Sequence, residues 1–439
     1  MSKQLRNMII AIVVLAAAGG AYFALSQKGS EKQQAEATAQ NVYNDGGAKI
    51  VKIDISTPTE TGTLVKDGTN WVIEGRENIE LSQINIDQAA AYAKTFSYER
   101  EINEGSPSDY GLTTGTIFTA VSDGGKEYKI IVGDAIMGDG GYYAMAEDKI
   151  YVISDEMGKS LKKSISDYRD RNPEFVDYTQ LSEFKVARKD KENIAVTPNP
   201  DGAIEEGVGE YLLTEGFACT MPVLTEAFAD NIGGPVYEIT AAEFIDEPES
   251  DEVYGFDDPY MTIDISDTLG YSCGIVVGDE AGDGLRYAKF SGKDYVCKVR
   301  TAKTDKIYNA NIFDIIAKYY VNVHFAKASS VEFYGDGIND VFTIDAQNGK
   351  IFRNNVEDSA ENFSQLYTDL ASVTIDGKAE KEFGNSVFAF NLKLTDGSET
   401  KVEFFEYDNN FYGAEINGVK AAVSGRKMVD EFINELKNY

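Results

Sequence analysis

The stretch YGLTTGTIFTAVSDGGKEYKIIVGDAIMGDGGYYAMAEDKIYVISDEMGKSLKKSI, residues 110–165, decides the fold. It opens at Tyr110-Gly111, alternates through Ile117, Thr119 and Val121, turns at Asp123-Gly124 and continues through Tyr128-Lys129-Ile130-Ile131-Val132-Gly133-Asp134. It closes with Gly141-Tyr142-Tyr143-Ala144 and Lys149-Ile150-Tyr151-Val152-Ile153. A period of two distributes side chains over the two faces of a strand, and Asp-Gly suits a tight hairpin. The block predicts a four-stranded meander, then a helix capped by Ser154 with Met157, Leu161 and Ile165 on one face.

The block returns at Tyr254-Gly255, with Ile275-Val276-Val277-Gly278-Asp279, Arg286-Tyr287-Ala288 and Tyr295-Val296 in the same order. A shorter third copy carries Phe383-Gly384, the turn Asp396-Gly397, Phe411-Tyr412-Gly413-Ala414, and Ser424 as the cap of a helix with Met428, Phe432, Ile433 and Leu436. Ahead of the first block, Trp71-Val72-Ile73 leads to a helix expected from Asn85 or Asp87, with Ile86, Ala89, Ala90, Ala93 and Phe96 on its apolar face. Tyr211-Leu212-Leu213 before Leu224, Ala227 and Phe228 repeats this, and Phe363, Leu366, Tyr367 and Leu370 form the third such face. Self-similarity kept in order is the signature of repeat architecture. The expected fold class is α+β: three tandem repeats, each a mostly antiparallel β-meander sheet with two helices. The units are expected over 48–181, 182–328 and 329–439.

Residues 8–26 carry no charge and follow Lys3 and Arg6, so 1–7 read as cytoplasmic and 8–26 as a transmembrane signal anchor. Ala24-Leu25-Ser26 keeps a cleaved signal peptide open as the alternative. Residues 27–47 are polar and read as a flexible tether. The bulk of the chain is then extracytoplasmic, on the cell membrane. A formal net charge of −32 in 439 residues argues against nucleic acid as a partner, while 43% hydrophobic residues suffice for packed cores.

Conventional catalytic groups are scarce. His324 is the single histidine, in what reads as an extended linker with a structural role, so a Ser-His-Asp arrangement is implausible and no catalytic residue or cofactor is expected. Cys219, Cys273 and Cys297 are read as unbridged, with Cys273 standing where Tyr128 does and Cys297 where Ile153 does. The loops holding Asp134 and Asp139, and Asp279 and Asp283, are read as hairpin turns, with calcium as the alternative. Tyr142 and Tyr143 are read as core aromatics, with a glycan groove as the alternative. The cluster Tyr168-Arg169-Asp170-Arg171 is expected to pair within a unit junction or to dock a partner.

The Trp-containing strand ahead of a helix, Tyr110-Gly111-Leu112, Val132-Gly133, Tyr142-Tyr143-Ala144, Ile150-Tyr151-Val152 and Tyr168-Arg169-Asp170-Arg171 together resemble the bacterial domain-of-unknown-function family 4340. The resemblance covers the first unit best. Unit two has Tyr254-Gly255-Phe256 and lacks the Arg-Asp-Arg cluster. Members look like single-span membrane proteins with extracytoplasmic repeats, often encoded beside ABC-2 type transporters and gliding-motility-like components. The resemblance implies an accessory role in such an assembly; the anchor, the repeats and the missing catalytic groups point to a non-enzymatic protein whose units form an elongated interaction surface, with a membrane partner such as a transporter permease. The alternative is a module that binds a solute, a cation or an envelope glycan.

Overall fold

The computed structural model describes residues 40–138, 140–174 and 176–439. The expected anchor, 8–26, lies outside them, as does most of the tether; among the described residues no helix is long and apolar enough to cross a membrane. The chain divides into two compact units, Met1–Asp170 and Arg171–Tyr439.

The first unit holds an 8-stranded antiparallel sheet. Its strands run, in spatial order, Asn70–Ile73, Thr61–Asp67, Ile50–Ser56, Thr116–Ser122, Glu127–Ala135, Tyr142–Ala146, Lys149–Ile153 and Arg100–Ile102. The last four strands of the 110–165 block are the expected meander. The opening strand Ile50–Ser56 lies against the start of that meander, pairing Ile53 with Ala120, and this joins the two halves of the unit. Alternation buries Ile53, Leu64, Phe118 and Ile130 completely, and the helix Gln83–Lys94 covers them with Ile86, Ala89 and Ala93.

That helix starts earlier than its sequence suggests. Its cap is Ser82, and Asp87, expected as a cap, sits inside it and accepts from Trp71 Nε1 at 2.7 Å. Gln83 grips the same tryptophan by its backbone, accepting from Trp71 N–H at 2.6 Å and donating to its carbonyl at 3.0 Å. A further correction concerns the tether, which was expected to run to residue 47. Gln40–Asn41 pairs with Ser97–Tyr98, Tyr43 is buried against Phe96 and Tyr128, and Asp45 accepts from the Tyr128 hydroxyl at 2.7 Å. The folded part therefore begins by Gln40.

The second unit contains two 9-stranded sheets. In the first of them the order is Met221–Leu224, Val208–Glu215, Ile194–Pro198, Leu181–Arg188, Met261–Asp267, Ser272–Gly282, Leu285–Phe290, Val296–Arg300 and Glu243–Ile245. In the other it is Val356–Asp358, Lys350–Arg353, Ile338–Asp345, Ala328–Gly335, Ser386–Leu394, Glu399–Glu406, Phe411–Ile416, Val419–Gly425 and Gly377–Lys378. One continuous core, from Val176 to Leu436, serves both. The segment between them explains why. Leu224 N–H donates to Ile315 O and Ala317 N–H to Pro222 O on one side, while Ile375 N–H donates to Lys318 O on the other. Residues 315–318 thus knit the two sheets edge to edge. A boundary at residue 328 separates strands, not cores.

Two register readings change. Cys297 faces Ala288 as Tyr151 faces Ala144, because the turn before it is longer; it takes the place of Tyr151, not of Ile153, and Tyr295 precedes the strand. Ser154 caps its helix by accepting from Met157 N–H at 3.3 Å, but Ser424 does not cap the last one. Gly425 does, and the buried Ser424 hydroxyl donates to Thr374 O at 2.6 Å. Arg300 holds the corresponding position in the second sheet.

Candidate functional site

The repeated motifs meet one another. Tyr110-Gly111 ends a short 3₁₀ turn, with Gly111 left-handed at φ 68°, and it lies directly on Gly133-Asp134. A Cβ at Gly111 would collide with the Asp134 carboxyl, and one at Gly133 with the Tyr110 carbonyl oxygen. Gly255 and Asp279, and Gly278 and Tyr254, repeat both close approaches in the second sheet. The Gly-Asp pair is therefore the seat of the aromatic-Gly turn.

The tyrosines complete the same joint. Tyr143 packs on Tyr110 with ring centroids 4.6 Å apart, and Tyr287 packs on Tyr254 at 4.9 Å. In the third sheet Phe383 covers Gly413, where a Cβ would strike the ring. Tyr142 lies against Gly158 of the closing helix, beneath Lys162, whose ammonium is 5.4 Å from the ring centre and donates to Gly133 O at 2.7 Å. Arg286 stands in for Tyr142 in the second sheet and stacks 3.7 Å over Tyr260.

For the calcium reading, Asp139 lies outside the described residues. Asp279 rests on Gly255, and Asp283 occupies a left-handed turn position at φ 52°. Among the described residues no group of three or more His, Cys, Asp or Glu comes together to hold a metal. His324 accepts from Ala326 N–H through Nδ1 at 3.2 Å and so caps the turn Phe325–Lys327; the backbone is extended at His324 itself and turns from Phe325 on.

The Tyr168–Arg171 cluster is divided between the two units. In the first, the fully buried Tyr168 donates through its hydroxyl to Ser160 O at 2.9 Å, Arg169 is buried, and Leu81 and Arg169 face each other across a β-bridge. In the second, Arg171 Nη1 donates to Ala241 O at 2.9 Å and to Ala242 O at 2.8 Å.

A cleft lies in the second unit, where residues 319–327 cross between the two sheets. It holds about 790 Å³ and is floored by Leu392, Leu394 and Ile375, with Tyr319, Asn322 and Asp396 at its polar margin. Lys327 reaches into it but is tied to Ile204 O at 2.6 Å and to Glu205 at 3.1 Å. Sequence reasoning missed this cleft because its walls come from strands almost two hundred positions apart. The one local signal is the aromatic pair Tyr319-Tyr320 in a linker.

The family described as "Domain of unknown function (DUF4340)" matches residues 71–217 and 229–385, well over half the chain. The chain belongs to this family. Neither match coincides with one sheet: the first begins in the strand Asn70–Ile73 and ends just past Val208–Glu215, and the second begins after the helix Thr225–Phe228 and ends just before Ser386–Leu394. The DUF4340 chain thus contains two family segments in a mostly antiparallel α+β fold. No curated protein and no solved structure matches it.

Proposed function

We propose that this DUF4340 protein is a membrane-anchored, extracytoplasmic, non-enzymatic interaction protein that serves as an accessory component of an ABC-type transporter assembly. In this reading the apolar residues 8–26 are the anchor, and the third sheet, whose strand order follows that of the first two, is a diverged third copy of the unit. The observation that carries the reading is that the repeated residues are spent on packing: Tyr110 on Tyr143, Gly111 on Asp134, Trp71 on Asp87 and Gln83. What recurs is scaffold, and what differs between copies is free to choose a partner. In-cell cross-linking of the extracytoplasmic part, followed by mass spectrometry, is expected to recover a membrane permease or a protein bound to one. Recovery of envelope polymer alone would sink the proposal.

The 790 Å³ cleft favours a second reading, as a binding module for a solute, a cation or an envelope glycan, since its volume falls among ordinary ligand sites of about 300–1,000 Å³. Thermal-shift titration with calcium and with wall glycans tests it. Absence of a shift at millimolar ligand removes it.

A further inference from the structure

In each copy the segment that enters the helix after the opening strands offers the same two backbone groups: the amide of the helix cap and the carbonyl two residues before it. In the first unit these belong to Ser82 and Glu80, which lie past the edge strand Asn70–Ile73 and outside the strands of the sheet. Ser82 N–H donates to Tyr168 O at 2.8 Å, and Glu80 O accepts from Asp170 N–H at 3.0 Å. In the second they belong to Leu224 and Pro222, bonded to Ile315 O at 2.7 Å and to Ala317 N–H at 2.9 Å. Leu81 faces Arg169, and Val223 faces Ile316. In both, the chain that follows the closing helix lies antiparallel along this segment, which is the sheet's edge strand only in the second.

The third sheet has Ser359 and Glu357 at these places, and Val356–Asp358 is its outermost strand. Here Ser359 N–H donates to Oδ1 of its own neighbour, Asp358, at 2.7 Å. We infer that Asp358 is a stop: its carboxylate occupies the position that a further strand's carbonyl would take, and so closes the third sheet's edge to extended segments of the kind residues 315–318 supply within this chain.

The physical reason is that an open row of amides and carbonyls is a template for any extended chain, and short, charged edges blunt it. This edge would otherwise be attractive: Val356 is 70% exposed beside it. A segment such as Ile315-Ile316-Ala317-Lys318, apolar residues ending in a cation, matches it in shape and charge once the Ser359 amide is released. A neighbouring Asp or Glu-rich chain does not, because Glu357 and Asp358 repel it.

The inference rests on the third sheet being a copy of the first two, and its test is independent of any transporter partner. The full chain and the variants D358A and D358N are compared by hydrogen exchange and by binding of a labelled synthetic peptide with the sequence of residues 312–321. Asparagine keeps the Oδ1 acceptor and removes the charge. The Ser359 amide is expected to exchange at least tenfold faster in D358A, with near-native rates in D358N. The peptide is expected to bind D358A at least tenfold more tightly than the other two proteins. Equal protection of Ser359 in D358A, peptide binding by the unaltered protein as tight as by D358A, or no binding by a D358A that melts like the unaltered chain would each overturn the inference. Peptide binding by D358N as tight as by D358A would also overturn it, since charge and not the hydrogen bond would then be the barrier.

Discussion

Tyr128 and Asp45 show how much one residue pair contributes to the start of the folded chain. Tyr128 is buried and its hydroxyl donates to Asp45; burial first, and then the carboxylate, push its pKa up to about 12. The neutral form is the one the fold holds, so folded protein keeps a proton that unfolded chain gives up above about pH 10. Stability of the first unit is therefore expected to fall as pH rises from about 10 to about 12. Tyr43, packed on Tyr128 and also raised to about 12, shares the effect, so Tyr128→Phe should flatten the loss without abolishing it in thermal melts across this range. Asp45 behaves oppositely: hydrogen bonds from Tyr128 and then Lys126 hold its carboxyl below the ordinary range. Its contribution is present at neutral pH and disappears as pH falls through that lowered value.

The three cysteines make a second prediction at this scale. Burial pushes Cys219 and Cys273 up to about 11 and Cys297 up to about 12, and the thiolate is the reactive form. At pH 8 a thiol reagent such as DTNB is expected to leave the native chain essentially unmodified within minutes and to titrate three thiols once it is denatured. Rapid modification of Cys297 in the folded state would contradict its burial. That Cys273 and Cys297 take apolar strand positions was legible from the repeats. Which apolar position Cys297 occupies was not, because Ser291-Gly292-Lys293-Asp294 marks a turn without fixing its length.

Among the elements, the joint between the aromatic-Gly turn and the Gly-Asp strand end is the one most exposed to a single substitution. Gly133→Ala places a methyl on the Tyr110 carbonyl, and backbone cannot move aside as a flexible side chain can. The expected loss is about 2 kcal/mol or more, read from denaturant unfolding of the first unit. Gly124→Ala serves as the control: only Ser122 Oγ, at 3.8 Å, comes near a Cβ there, so a change within about 0.5 kcal/mol is expected. The sequence showed both glycines as turn residues, yet only one is held by contact. The difference is tertiary, since Tyr110 and Gly133 meet only after the sheet has formed.

For the molecule as a whole, the shared core of the second unit predicts its cooperativity. Phe404 is buried in the third sheet and packs on Phe388 and on Tyr320 of the linker. Phe404→Ala is expected to cost about 3–5 kcal/mol and to lower the melting of the second and third sheets together, followed by hydrogen exchange at Ile263 and at Phe390. Loss of protection at Phe390 alone would mean that the two sheets unfold separately despite the common core.

The amino-acid sequence by itself determined the strands of each meander, their order along the chain and the helices that follow them. Those depend on periods of two and 3.6 and on local turn chemistry, which neighbouring residues specify. It also marked Trp71, Tyr110 and Gly133 as recurring or prominent positions. Only the tertiary structure decided that Gln40 joins the first unit, that residues 315–318 bond two sheets into one core, that Ser424 is buried and not a cap, and that Asp358 turns back on Ser359. In each of these the partner of a backbone or side-chain group is selected by which strand edges are left open after the sheets have paired. That is a property of contacts between residues far apart in the chain, and no local pattern records it.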